Sequence, residues 1–173
     1  METIRIDGGV IRTLLMGSVC GLRARIEEIN DLNVFPVPDG DTGDNMTRTI
    51  ESGVAAIEGM NTDNLAEAIR AFSRGMLLGA RGNSGVILSQ FFLGVACGLE
   101  NVKAADAYTF AEALRVGVRH AYHAVVTPAE GTILTVAREA VEYAHKRLTP
   151  KSTIKTLFAD LVNEISSIRF PNA

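Results

Sequence analysis

Asp39, Asp41 and Asp44 fall within six residues of one another, with Gly40 and Gly43 interleaved. They belong to the stretch Asn33-Val34-Phe35-Pro36-Val37-Pro38-Asp39-Gly40-Asp41-Thr42-Gly43-Asp44-Asn45-Met46, which is entered through two prolines and leads into a helical pattern. Such a loop is stiff at its entry, free to bend in its middle and dense in hard oxygen donors. Those are the properties of a divalent-cation site that handles phosphate. Asp39 and Asp41 flank Gly40, so a turn can aim both carboxylates at one point. Held close, they repel unless a cation sits between them, and Mg²⁺ kept by two carboxylates plus substrate phosphate is the common solution. An EF-hand does not fit: Asp44 stands where that loop needs glycine, and Ile50 where it needs a closing bidentate carboxylate. The plainer alternative is a turn at Asp39 and Asp41 and a helix cap at Asp44.

Two other stretches carry unusual residues. Gly79-Ala80-Arg81-Gly82-Asn83-Ser84-Gly85 is not a Walker A loop, because no Lys-Ser/Thr pair follows, and no strand precedes it as the dinucleotide fingerprint requires. Its glycines allow a ligand to approach the backbone, and the amides of Asn83, Ser84 and Gly85 sit at a helix start, where unsatisfied donors and the helix dipole favour an anion. Arg81 could add a charge-assisted bond to a phosphate oxygen. The alternative is a helix–helix turn with a solvated arginine. In Thr127-Pro128-Ala129-Glu130-Gly131-Thr132, capping accounts for Thr127, Pro128 and Glu130, and only Gly131-Thr132 hints at close approach by a ligand. His120 and His123 lie three apart with no third ligand nearby in sequence, and a partly exposed helix face explains them better than a metal does.

The chain that must position these loops has 173 residues, which suits one domain spanning 1–173. With 47% hydrophobic and 21% charged residues it is an ordinary globular composition. A net charge of −3, no basic stripe and no tryptophan argue against a nucleic-acid partner. Cys20 and Cys97 lie in apolar helical patterns and read as buried thiols. The N-terminus lacks a signal-peptide pattern, and the longest apolar-rich stretch, Val86 to Leu99, is too short and too polar for a membrane span, so a cytoplasmic protein is expected.

Three-four spacing of large apolar residues predicts a first helix over Val10–Ile29, with Gly8-Gly9 before it and Asp7 as its cap. A second runs from Thr42 or Asp44 to Ile57 with Met46, Ile50, Val54 and Ile57 inward, and a third from about Asn64 to Gly79. A fourth, capped by Asn83 or Ser84, covers Val86–Leu99 and is apolar on nearly every face, so it should be the most buried. Thr109-Phe110-Ala111-Glu112 and Thr127-Pro128-Ala129-Glu130 read as capping boxes opening the fifth and sixth helices. A seventh starts near Ser152 and is stopped by Phe170-Pro171. No period-two segment is present, so no sheet is expected. The fold class is all-α, an antiparallel up-and-down helical bundle or barrel with about seven visible helices. In that arrangement the loops 31–43, 79–83 and 126–131 share one end, and they are the three with unusual residues.

Together, the Asn33–Met46 loop, the Gly79–Gly85 segment continuing into Val86-Ile87-Leu88-Ser89-Gln90, and Pro128-Ala129-Glu130-Gly131-Thr132-Ile133-Leu134 resemble the DhaL-like, ATP-binding domain of dihydroxyacetone kinases. The resemblance is closer to the N-terminal domain of bacterial fatty-acid kinases. It implies an eight-helix antiparallel barrel that carries ATP or ADP and Mg²⁺ at one rim. Family metal-binding aspartates fall on Asp39 and Asp41; the third lies where this chain has Asn33 and Val34, so Asn33 or Asp44 is its substitute. Nucleotide contacts fall on Thr42, Gly43, Asp44, Asn45, Asn83 and Ser84, with Gly131 and Thr132 near the base or ribose, and Arg81 neutralises charge during transfer. The resemblance also implies a phosphoryl acceptor, small or acyl, held by a partner: a DegV-like fatty-acid-binding protein or a DhaK-like subunit. No eighth family helix follows Arg169. The chain is then a truncated product, or the open seam is covered by a ligand, another chain or a second copy in a homodimer. A nucleotide-binding regulatory module without turnover is the alternative function.

Overall fold

A computed structural model describes residues 5–33 and 38–168. In chain order it forms β1 (Ile6–Asp7), α1 (Gly8–Arg23), α2 (Ile26–Asp31), α3 (Thr42–Ile57), α4 (Leu65–Gly79), α5 (Gly82–Gly98), β2 (Ala104–Ala105), α6 (Ala107–His123), α7 (Ile133–Lys146) and α8 (Ile154–Ser167). The all-α reading holds. Each long helix packs on the next in sequence from α3 to α8, and α1 lies across α3 and α4. The tightest pairing is α5 on α6, where glycines let the backbones meet: a Cβ on Gly94 would stand 2.7 Å from the Val116 carbonyl, and one on Gly117 2.8 Å from that of Phe91. Leu65, Ile69, Phe72 and Met76 of α4 meet Ile57 of α3 and Val95 of α5 in the core.

Several boundaries differ from the sequence expectations. The first helical pattern breaks at Ala24-Arg25, so that α2 turns to pack on α3. Gly8 and Gly9 lie inside α1 rather than ahead of it, beneath the Asp7 cap, whose Oδ1 accepts from the Val10 amide at 2.9 Å. A small sheet does exist: Ile6 and Asp7 pair antiparallel with Ala105 and Ala104. Two residues per strand are too few to show alternation. Asp106, not Thr109, caps α6, and Glu112 pairs with Arg115 and His145 instead of closing a box. The sixth predicted helix starts later, at Ile133 with Thr132 as its cap, because residues 127–132 are spent on a loop.

On α3 the fully buried face is Gly43, Thr47, Thr49, Gly53 and Ile57, whereas Met46, Ile50 and Val54 are half-buried, because α4 packs against small residues there. The most buried helix is α4, not α5. Helix α5 buries Gly85, Ser89, Gly94 and Val95, and its remaining apolar residues are mostly half-exposed. Both cysteines are exposed and free, since Cys20 and Cys97 sit off the core faces marked by Ile11, Leu15 and Val19 on α1 and by Val95 and Leu99 at the end of α5. The stop assigned to Phe170-Pro171 lies outside the described residues. Val162 and Ile165 of α8 are 60% and 49% exposed.

The loops away from the acidic stretch hold the bundle together. The Gly8 amide donates to the Asp63 carbonyl at 2.9 Å, while Leu65 and Ala66 donate to the carbonyls of Lys103 and Val102. At this end Asp106 Oδ1 accepts from the Thr109 amide at 2.8 Å. That backbone bond, followed by the Thr109 side chain and the Arg5 charge, holds the Asp106 carboxyl below the ordinary aspartate range. A depressed folded pKa contributes stability above the unfolded value and loses it as pH falls through the folded one. Asp106→Asn should keep the cap but lose the charge, so its melting temperature should match wild type in strong acid and fall below it as pH rises. Asp106→Ala should cost about 1 kcal/mol at neutral pH in denaturant titration.

Candidate functional site

The acidic loop is anchored by a residue that its motif does not contain. Asn30, near the end of α2, accepts from the Gly43 amide at 2.7 Å and more weakly from the Asp44 amide at 3.4 Å, while its own Nδ2 donates to Asp44 Oδ2 at 2.8 Å. One carboxamide thus supplies the cap that Asp41 does not, since the Asp41 side chain makes no cap bond to α3. Gly43 allows this: a Cβ there would stand 2.5 Å from the Ile26 carbonyl oxygen. The amides of Gly43 and Asp44 and the Asp44 carboxylate are therefore engaged with α2. The donors left for a ligand are the Thr42 hydroxyl and the Asn45 carboxamide, neither of which makes a side-chain hydrogen bond among the described residues.

Asp39 and Asp41 are exposed, and Asn33 Nδ2 donates to Asp39 Oδ1 at 2.8 Å. The three residues assigned to the metal thus gather at one place in part: Asn33 touches Asp39, and Asp41 follows one residue beyond Gly40. Among the described residues no group of three or more His, Cys, Asp or Glu side chains is placed to hold a metal ion. The donor set is two hard carboxylates and one carboxamide. That set suits a Mg²⁺ which takes its remaining ligands from substrate phosphate and water, and does not suit an all-protein cage.

The glycine-rich stretch is brought directly against this loop. Thr49, fully buried, donates to the Asn45 carbonyl at 2.7 Å and accepts from the Arg81 amide at 3.1 Å. Gly82, at φ +57°, leaves room for the Asn45 carboxamide, and Gly85 leaves room for the Thr49 hydroxyl; a Cβ at either would collide with those groups. Helix α5 begins at Gly82, ahead of the expected Val86, and its N-cap is Arg81 rather than Asn83 or Ser84, with no side-chain cap bond. The amides of Gly82, Asn83 and Ser84 have no acceptor among the described residues, so the first turn of α5 presents open donors beside the start of α3. Among the described residues the Arg81 guanidinium reaches only the Ala80 carbonyl, at 3.2 Å, and it is otherwise exposed.

The third loop is ordered by its own network. Thr132 accepts from the Leu134 amide and donates to the Ala129 carbonyl, and Gly131, at φ +78°, donates its amide to Thr135 Oγ1 at 2.9 Å. Glu130, read as a cap, instead accepts from Thr135 at 2.7 Å and pairs with Arg138 at 2.8 Å. The Thr135 bond, with the Arg138 charge and the Tyr122 hydroxyl, lowers the Glu130 pKa. A small apolar cavity of about 110 Å³ between Ile87, Leu88 and Phe91 of α5 and Ile133, Leu134 and Ala137 of α7 sets the start of α7 beside the first turns of α5. All three loops therefore meet at one end.

Asn30 and Thr49 are the neighbours of these loops that the motifs did not point to. Asn30 reads as a helix terminus, and Thr49 as one polar residue in an amphipathic pattern. Only pairing across helices reveals them. Asn30→Ala should leave the Gly43 amide and the Asp44 carboxylate without their partner, costing roughly 1–3 kcal/mol and freeing the loop. Faster hydrogen exchange at Gly43 and Asp44, with unchanged exchange in α6, is the expected readout.

Residues 36–168 match the model of the DAK2 domain family. The chain belongs to the DAK2 domain family. The resemblance to the dihydroxyacetone kinase domain that the three motifs carry therefore holds. Among its relatives in this family, Protein YloV of Bacillus subtilis is 43% identical over 164 residues, covering 95% of this chain and 30% of that protein. An uncharacterized protein of Staphylococcus saprophyticus is 42% identical over 160 residues, covering 92% of this chain and 29% of its own length. Another, from Staphylococcus epidermidis, is 45% identical over 140 residues, 81% of this chain and 25% of that protein. The chain thus spans less than a third of the length of these relatives. Family membership makes it a kinase-related domain of a kind that generally binds ADP or ATP. Among the described residues no helix is long and apolar enough to cross a membrane.

Proposed function

We propose that this domain binds Mg-ATP at the end formed by the starts of α3 and α5 and transfers the γ-phosphoryl group to an acceptor held by a partner protein or another domain. The observation that carries the reading is the direct joining of these two helix starts by Thr49 and Asn45, which sets the open amides of α5 beside the start of α3. Asp39 and Asp41, supported by Asn33, would hold Mg²⁺, which supplies charge neutralisation to the phosphates when bound. Thr42, Asn45 and the amides of Asn83 and Ser84 would bind phosphate oxygens. Gly43 and Asp44 would act one step back, through Asn30, and Gly131 and Thr132 would border the base or ribose. Arg81 would balance charge on the group in transfer.

Among the described residues no general base stands out at this end, so the work is positioning and electrostatics, and an acyl carboxylate as acceptor would need no deprotonation. The acceptor is a small or acyl group presented by a DegV-like or DhaK-like partner in the cytoplasm. Calorimetry with MgADP, followed by phosphoryl transfer from labelled ATP to an acyl-loaded partner, tests the reading. Absence of MgADP binding would sink it. The alternative, a nucleotide-binding regulatory module, is favoured because among the described residues no third carboxylate is grouped with Asp39 and Asp41 to hold a metal ion; MgADP binding with no transfer to any loaded partner would select it.

A further inference from the structure

A second place on the molecule combines charge and shape in a way that the nucleotide end does not use. Between them helices α6 and α7 form an open cavity of about 310 Å³, bordered by Arg115, Arg119 and Arg138 and walled by Val118, Tyr122 and Val141. We propose that this cavity binds a small organic phosphate, a phosphomonoester with a compact apolar body. This inference is independent of the function proposed above.

The sequence spreads the three arginines over two helices, so no basic run is visible; the packing of α6 on α7 brings them to one cavity. Their states differ. Arg138 is fixed in place, its Nε donating to the Tyr122 hydroxyl at 3.0 Å and its Nη2 to Glu130 Oε2 at 2.8 Å, which leaves its Nη1 without a partner among the described residues. Arg115 is held by Glu112 at 3.1 Å. Arg119 is exposed and makes no hydrogen bond or ion pair among the described residues.

Among the lining side chains, three guanidiniums face one carboxylate, Glu142, with His123 at the border. Glu112, Glu130 and Glu139 neutralise from outside the lining. Among the described residues the guanidinium of Arg119 and the Nη1 of Arg138 are the donors left unused, and such donors match the several oxygens of a phosphate better than a lone carboxylate. The valines and the tyrosine ring would be left facing water by a bare ion, so they select an ester with a carbon skeleton. The volume is at the small end of the range for ligand pockets, enough for a body the size of one ring.

Phenyl phosphate is the probe, titrated calorimetrically into the whole chain, with inorganic phosphate and benzoate alongside. Phenyl phosphate should bind, more weakly as salt is raised, and Arg119→Ala should weaken it at least tenfold. That exposed, unpaired side chain can be removed without loss of fold, which circular dichroism melting will verify. Arg138→Lys keeps a positive charge but loses the fork, and should weaken binding as well. Saturating MgADP, or the Asp39→Ala/Asp41→Ala double variant, should leave phenyl phosphate affinity unchanged, placing it outside the nucleotide end. The proposal is overturned if phenyl phosphate does not bind, if Arg119→Ala does not weaken it, if MgADP displaces it, or if inorganic phosphate or benzoate binds equally well.

Discussion

Replacing Asp39 and Asp41 together by alanine is expected to weaken Mg-dependent ADP binding by roughly a hundredfold or more, about 2.8 kcal/mol, since only phosphate, water and Asn33 would remain to hold the cation. Both carboxylates are exposed, and their one side-chain hydrogen bond among the described residues is that from Asn33 to Asp39. Folding stability without ligand should therefore stay within about 0.5 kcal/mol of wild type. Calorimetry at fixed ADP with and without Mg²⁺ separates the effects: without Mg²⁺, wild type and variant should bind alike. Equal Mg-dependent affinity in the two proteins would remove these residues from the metal site. Asn33→Ala should give a smaller loss than either aspartate change, because a neutral carboxamide contributes less to a hard cation than a carboxylate does.

The largest effect on stability is expected from Phe72→Ala, at about 3–5 kcal/mol. Phe72 is fully buried at the middle of α4, and its ring meets that of Phe92 edge to face with centroids 5.1 Å apart. On its other side it lies against Gly53 of α3, where a Cβ would stand 2.7 Å from the Phe72 ring. The side chain therefore sets the spacing of α3, α4 and α5 at once, and truncation leaves a cavity that glycine and phenylalanine neighbours cannot readily fill. The same spacing brings Thr49 to Arg81 and Asn45 to Gly82. Urea denaturation should show the stability loss, and the surviving folded protein should bind MgADP more weakly although Phe72 touches no ligand. Full nucleotide affinity in Phe72→Ala would mean that the register of α3 and α5 is held by the Thr49 bonds alone.

Periodicity made the helices legible because each long one has a core face of large apolar residues, as Leu65, Ile69, Phe72 and Met76 show for α4. It failed where small residues carry the packing. On α3 the buried face is Gly43, Thr47, Thr49, Gly53 and Ile57, which a search for large hydrophobic residues passes over. Capping was read correctly at Asp7, where one polar residue precedes a clean pattern. It was misplaced at Thr109 and Thr127, because box-like spacings recur by chance when threonine and glutamate are frequent. The meeting of the three loops followed from helix alternation alone. The Asn30 bridge did not, since a carboxamide thirteen residues from its partner leaves no local signature.

The pairing of Ile6 with Ala105 has a consequence for how the chain is made. The first strand finds its only partner among the described residues about a hundred residues later, and Gly8 closes against Asp63 in between. Such separation raises the entropy that must be lost before these contacts form. During vectorial synthesis, α1 can settle on α3 and α4 once they have emerged, but β1 cannot be paired until β2 follows, just ahead of α6. Helices α3, α4 and α5, whose contacts are local, can assemble first and join the starts of α3 and α5 before the N-terminus is fastened. The ligand-facing end would then be built ahead of the clasp that holds the opposite end shut.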